Sequence, residues 1–221
     1  PIMKCGEKCL RLYAVTDRRW LGDSTLEQQV EEALKGGATF VQLREKQLDK
    51  KSFYREAVSL KKLCRKYGVP FVIDDDVELA LESGADGVHI GQSDMALLDA
   101  REKLGPEKMI GVSARTVEEA LEAERNGADY LGVGAVFSTS TKPDAVDVSL
   151  ETLRKICESV SIPVVAIGGI GTENLPKLAG TGIAGVAVVS ALFAAENIRK
   201  SAEKLRRLSE EAAAGNAGEG V

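Results

Sequence analysis

Three side chains in the stretch "FVQLREK" (residues 40–46) raise the first chemical question. In an extended strand successive side chains point to opposite faces, so Gln42, Arg44 and Lys46 share one face and Val41, Leu43 and Glu45 the other. An amide and two cations aimed the same way make a surface for an anion. Further along stand Asp74 and Asp75 in "IDDD", His89, Gln92 and Asp94 in "VHIGQSD", Ser113 in "GVSA", and Thr139, Thr141 and Lys142 in "FSTSTK". Three cations (Arg44, Lys46, Lys142), several hydroxyls and two separated carboxylates (Asp75, Asp94) suit one kind of object, a polyphosphate with a divalent metal. Arginine offers phosphate oxygens a planar fork and lysine a point charge. Mg2+ takes one or two carboxylates together with phosphate and water.

Such a set works only if the chain gathers it in one place. Short apolar runs alternate with longer amphipathic ones along the whole sequence, the pattern of a parallel sheet with helical crossovers. The predicted strands are 10–16, 40–44, 70–74, 87–91, 109–113, 130–134, 163–169 and 185–190. Between them lie helical patterns such as "STLEQQVEEALKGG", which Ser24 or Thr25 can cap and Gly36 can end, and "DKKSFYREAVSLKKLCRKYG", ending at Gly68. Eight strand–helix units in about 200 residues match a (β/α)8 TIM barrel. A repeat agrees: "GGATFVQL", "SGADGVHI", "NGADYLGV" and "TGIAGVAV" recur at intervals of 43 to 55 residues, each ending a helix and opening an even-numbered strand. A doubly wound open sheet is disfavoured by the even strand count and by the lack of G-x-G-x-x-G after the first strand. The sequence predicts a single barrel domain over 1–212 and a small, acidic tail at 213–221 that frays from the last helix.

In barrels of this kind the site forms at the carboxyl ends of the strands. All the polar residues named above fall there, so Gln42, Arg44 and Lys46 are expected to face the barrel mouth. A second anion site is expected after strands seven and eight. There "AIGGIGTEN" places Gly168 and Gly169 before a helix that Thr172 can cap, and "VVSA" offers backbone N–H groups near Val189 and Ser190. Two phosphate sites imply two phosphorylated substrates. Each feature also has a plainer reading: the cations as salt-bridge partners, "DDD" as a turn and helix cap, the glycine pair as a turn, and His89 as a hydrogen-bonded core residue rather than a general base. Trp20, with Arg18 and Arg19 after strand one, reads equally as lid or as surface.

Composition limits the partners. A formal net charge of −5 and a pI near 5.2 oppose nucleic-acid or anionic-membrane binding, which need a basic surface. The chain carries no apolar run of membrane length and no signal pattern at its start, which points to a cytoplasmic protein. Four cysteines (Cys5, Cys9, Cys64, Cys157) with a single histidine give no Cys/His metal spacing, and Cys64 and Cys157 read as small apolar residues within helices. Homo-oligomer formation is left open.

Taken together, "QLREK", "DDDVELAL", "GADGVHIGQSD", "GVSARTVEEA", "GADYLGVGAVFSTSTKPDA", "AIGGI" and "VVSA" resemble the thiamin phosphate synthase family, in family order and over roughly residues 10–205. The resemblance implies a Mg2+-assisted transfer joining hydroxymethylpyrimidine diphosphate to hydroxyethylthiazole phosphate, giving thiamin phosphate and diphosphate by a dissociative substitution. It assigns Gln42, Arg44, Lys46 and Lys142 to the diphosphate, with Ser113 hydrogen-bonding nearby, and Asp75 and Asp94 to the metal. Thr139 and Thr141 would hold the thiazole phosphate, helped by backbone amides at Gly169, Val189 and Ser190. The family usually has Asn-Asp where this chain has Asp74-Asp75, and often a basic residue at Asp76, so Asp74 is a candidate further metal ligand. Two alternatives accompany this reading: a thiazole tautomerase-like paralogue, and a non-catalytic thiamin phosphate binding protein. The expected lid is the segment from Phe137 to Val148.

Overall fold

A computed structural model describes residues 6–93, 95–138 and 147–215 of the 221-residue chain. Eight parallel strands close into a barrel in chain order, β1 (Leu12–Val15), β2 (Phe40–Leu43), β3 (Phe71–Asp74), β4 (Gly87–Ile90), β5 (Met109–Ala114), β6 (Tyr130–Val133), β7 (Val164–Ile167) and β8 (Gly185–Val188), with β8 pairing back onto β1. The helices are α1 (Leu26–Lys35), α2 (Lys50–Lys66), α3 (Val77–Glu82), α4 (Leu97–Leu104), α5 (Val117–Arg125), α6 (Leu150–Ser159), α7 (Ser190–Phe193) and α8 (Ile198–Ala214). This is the expected (β/α)8 barrel. Among the described residues no helix is long and apolar enough to cross a membrane.

The repeat read in the sequence is the turn at the bottom of the barrel. Its glycine (Gly37, Gly84, Gly127, Gly182) takes a left-handed φ between 69° and 98°, a conformation that costs glycine nothing. Two residues later the side chain reaches across to the neighbouring odd strand. Thr39 Oγ1 accepts from Leu12 N (2.9 Å), Asp86 Oδ2 from Phe71 N (2.8 Å) and Asp129 Oδ2 from Ile110 N (2.7 Å). The repeated Asp therefore closes the backbone hydrogen bonding of a strand start and belongs to the scaffold.

Alternation along the strands divides the apolar residues into two shells. Leu12, Val41, Ile73, Ile110, Leu131 and Val186 face the helices, while Tyr13, Phe40, Val72, Met109, Tyr130 and Val165 fill the barrel. Gly111 makes room in that filling, since a Cβ there would lie 2.1 Å from Cζ of Tyr130. The helices start on local caps: Thr25 with Gln28 forms a capping box on α1, Asp49 caps α2, Asp76 α3, Thr116 α5, Ser149 α6 and Asn197 α8. Cys64 is buried and Cys157 half-buried, and burial pushes both thiols up to about 12, which makes them packing groups rather than nucleophiles.

Two expectations change. No α-helix follows β7; a 3-10 turn at Leu175–Leu178 stands there, with Pro176 inside it. Thr172 does not cap it, and its hydroxyl points to Glu173 (3.3 Å), while Asn174 ties the loop by accepting from Gly171 N (2.9 Å) and donating to Gly169 O (2.8 Å). Residues 213 and 214, expected to fray, instead belong to α8, because the alanines of "EEAAA" continue the helix through Ala214 and Ala213 is buried, while the rest of the expected tail, 216–221, lies outside the described residues.

Candidate active site

A cavity of about 590 Å3 opens at the carboxyl ends of the strands, and the expected residues line it: Gln42, Arg44, Lys46, Asp74, Asp75 and Ser113. Gly169, Val189 and Ser190 line its opposite side. Asp94, Thr139, Thr141, Lys142 and the central part of the expected lid lie outside the described residues.

Strand β2 ends at Leu43, one residue short of the expected strand, so Arg44 and Lys46 reach the cavity from the loop that follows it, and the end of β3 supplies their counter-charges. Lys46 Nζ lies 2.5 Å from Asp75 Oδ2 and 3.4 Å from Asp74 Oδ2, and Arg44 Nε is 3.9 Å from Asp74 Oδ2. Desolvation works against the Lys46 charge, but the Asp75 and Asp74 carboxylates outweigh it and hold the ammonium above the ordinary lysine range. Asp74 behaves the opposite way. Burial, and then the charge of Asp75, push its carboxyl up to about 6 against the pull of Lys46 and Arg44. The outward-facing residue of this stretch, Glu45, instead joins Arg18 at 2.7 Å, and Arg18 also reaches Glu56 at 2.6 Å.

The three aspartates of "DDD" have different work. Asp74 and Asp75 face the cavity, whereas Asp76 is the helix cap of the plainer reading, its Oδ1 accepting from Leu79 N at 2.9 Å. Asp75 takes φ 63°, the left-handed region that side chains seldom enter, and its N–H donates to His89 O at 2.8 Å. That conformation fixes the direction in which the Asp75 side chain leaves the backbone, and the contact with Lys46 holds its carboxylate at the rim.

Gly168 (φ 101°) and Gly169 (φ 60°) are required by a close approach as well as by conformation. A Cβ on Gly169 would lie 2.3 Å from Ser138 O and one on Gly168 would lie 2.5 Å from Ala135 Cα. The glycine pair thus lets the segment after β6 run against the end of β7. Arg18 and Arg19 are engaged with Glu45, Glu56 and Asp17, and Trp20 is exposed.

Sequence reasoning missed Tyr13 and Arg115, which line the cavity, and Tyr130, which is buried beneath it. Tyr13 and Tyr130 occupy inward positions on β1 and β6, and their hydroxyls meet at 2.8 Å. A hydroxyl at an inward strand position was the available signal. His89 lies between Tyr130 (Nδ1 to Oη, 3.2 Å) and Ser113 (Nε2 to Oγ, 3.0 Å), which agrees with its reading as a hydrogen-bonded interior histidine. Gln92 Nε2 donates to Ser113 O at 2.7 Å and so steadies the end of β5.

As a donor set for a metal, the rim offers hard oxygens. Among the described residues no group of three or more His, Cys, Asp or Glu side chains is arranged to hold an ion. Two adjacent carboxylates, one of them pushed toward protonation by burial and then by the charge of the other, nevertheless fit a hard divalent cation that keeps waters and draws further oxygens from phosphate.

Residues 12–192 match the thiamine monophosphate synthase family model. The chain is 55% identical over 192 residues to the thiamine-phosphate synthase of Clostridium acetobutylicum, covering 87% of this chain and 91% of the relative. It is 49% identical over 193 residues to thiamine-phosphate synthase 2 of Streptococcus pneumoniae, covering 87% and 92%. The solved structure of a thiamine phosphate pyrophosphorylase from Pyrococcus furiosus superposes with a TM-score of 0.87 at 47% identity, covering 93% of this chain and 98% of that one.

Proposed function

The chain belongs to the thiamine monophosphate synthase family and is a transferase of that type, and from this premise we propose that it condenses hydroxymethylpyrimidine diphosphate with hydroxyethylthiazole phosphate to give thiamin phosphate and diphosphate. The observation that carries the reading is the convergence of Arg44, Lys46, Asp74, Asp75 and Ser113 on one side of a single cavity whose other side is Gly169, Val189 and Ser190.

In this reading Arg44 and Lys46 hold the diphosphate, with Gln42 deeper in the same face and Lys142 joining them. As the bond from the pyrimidine methylene to the diphosphate oxygen breaks, negative charge grows on the leaving group, and cations already in place lower the barrier. Ser113 donates a hydrogen bond to that group. The thiazole phosphate lies across the cavity, held by backbone amides at Gly169, Val189 and Ser190 and by Thr139 and Thr141, so that its ring nitrogen faces the carbon that gains positive charge. No protein nucleophile is required. Asp75, with Asp94 and with Asp74 as a further ligand, would hold Mg2+, which when bound supplies positive charge to the diphosphate oxygens. The test is formation of thiamin phosphate from the two substrates by the purified protein, with each substrate omitted in turn. Product in the complete mixture alone supports the reading; binding of thiazole phosphate or thiamin phosphate without product would move the protein to a tautomerase-like or binding role.

A further inference from the structure

A continuous line of hydrogen bonds crosses the floor of the cavity through five strands. Gln42 Nε2 donates to Tyr13 Oη at 2.6 Å, Tyr13 Oη meets Tyr130 Oη at 2.8 Å, Tyr130 Oη meets His89 Nδ1 at 3.2 Å, and His89 Nε2 meets Ser113 Oγ at 3.0 Å. Tyr13 and Tyr130 are each 1% exposed and Gln42 is 5% exposed, so the first part of the line lies away from bulk water. The rings are packed as well as bonded: Phe40 stands 4.5 Å from Tyr13 and 5.5 Å from Tyr130, centroid to centroid, and His89 5.6 Å from Tyr130. The ring of His89 is therefore held on two sides.

The chemistry of the members gives the line a direction. A neutral imidazole donates from one nitrogen and accepts at the other, so it passes a direction on without reversing it. A hydroxyl that accepts from one neighbour and donates to the next does the same, and a chain bonded in one sense polarises cooperatively. The amide N–H of Gln42 donates at the inner end. Continued in that sense, Tyr13 donates to Tyr130, Tyr130 donates to Nδ1 of His89, and the proton of His89 is on Nε2, donating to Ser113 Oγ.

We propose that His89 is a positioning residue, held neutral with its proton on Nε2, and that by donating to Ser113 Oγ it turns the Ser113 hydroxyl proton into the cavity as a hydrogen-bond donor. Ser113 then meets an anionic oxygen with its O–H rather than with a lone pair. The tautomer stands on the hydrogen-bond geometry alone, while its effect on turnover rests on the synthase reading. The opposite sense would put a proton on His89 Nδ1 and have Ser113 donate inward to Nε2, and it would leave Tyr13 Oη accepting from both Gln42 and Tyr130 with its own proton outside the line.

The chain has one histidine, so 15N-imidazole NMR of histidine-labelled, full-length protein at neutral pH reads the tautomer directly. The expected spectrum is that of the Nε2–H form, with Nδ1 as an unprotonated acceptor. An Nδ1–H form or an imidazolium would overturn the proposal whether or not the protein makes thiamin phosphate. For the kinetic consequence, His89→Leu is expected to lower kcat about five- to tenfold, the worth of one ordinary hydrogen bond, with little change in KM. His89→Gln, which retains an N–H toward Ser113, should recover most of that loss. The double variant with Ser113→Ala should turn over no more slowly than Ser113→Ala alone. Losses that multiply in the double variant would place His89 outside the Ser113 path and overturn the positioning role.

Discussion

Lys46 on the β2 side of the cavity rim is joined to Asp75 just beyond β3, Nζ to Oδ2 at 2.5 Å, so a cation of the rim is already in contact with a carboxylate. The pair unites the two readings of "QLREK". Lys46 is a salt-bridge partner and it also lines the cavity, and an incoming anion with its own cation can take over both halves of the pair. Under the proposed function the charge of Lys46 acts on the transition state rather than on the fold. Lys46→Met is expected to lower kcat about 10² to 10³-fold, in line with the loss of one charge-stabilising donor, while leaving the circular dichroism spectrum unchanged. Turnover within a few-fold of the parent would show that Lys46 does not meet the leaving group.

Asp74 gives a pH-dependent prediction in metal-free buffer. A carboxyl whose folded pKa lies above its unfolded value binds its proton more tightly when folded; the stability it contributes is complete below about 3.8 and is lost as pH rises through about 6. Asp74→Asn keeps the shape and removes the charge. The variant should be more stable than the parent at pH 8, by about 2–3 kcal/mol, and the gap should close as pH falls toward 4. Urea unfolding of both proteins at pH 4, 6 and 8 measures it, and a gap that is absent at pH 8 or constant across the series would contradict the assignment.

The left-handed φ of Asp75 separates stability from function. Asp75→Gly relieves the backbone and Asp75→Ala does not, so the glycine variant should be the more stable of the two by about 1 kcal/mol. Both lose the carboxylate, and both should need far more Mg2+ for turnover than the parent. Equal stabilities would mean that the loop relaxes without help.

Gly169→Ala tests the close approach on the far side of the cavity. The added methyl would meet Ser138 O at 2.3 Å and must displace the segment that follows β6. A loss of about 1–3 kcal/mol is expected, as for other insertions into close packing, together with a raised KM for the thiazole phosphate rather than for the pyrimidine diphosphate. A raised KM for the pyrimidine substrate alone would put the two phosphate sites the other way round.

Legibility in the sequence followed the range of the interaction. The strands were legible because strands buried on both faces are short continuous apolar runs, and the bottom turns because Gly84, Ala85 and Asp86 act within one short repeat. Gln42, Arg44, Lys46, Asp74, Asp75 and Ser113 could be placed together because a closed parallel barrel brings every strand end to one mouth. What escaped depends on pairs distant in sequence. Tyr13 and Tyr130 are 117 residues apart, and only barrel closure brings their hydroxyls together. The missing helix after β7 was a different failure: Asn174 and Pro176 favour a tight turn, and the pattern "GTENL" reads as a capped helix until the loop contacts of Asn174 are seen.

The central claim is that the cation-and-carboxylate rim works on a diphosphate leaving group. The direct measurement is diphosphate released on mixing the purified protein with both substrates, with and without Mg2+, and with thiamin phosphate followed in the same samples. The account predicts Mg2+-dependent release in one-to-one ratio with thiamin phosphate. Thiamin phosphate appearing without diphosphate, or no release from a protein that still binds the thiazole phosphate, would contradict it.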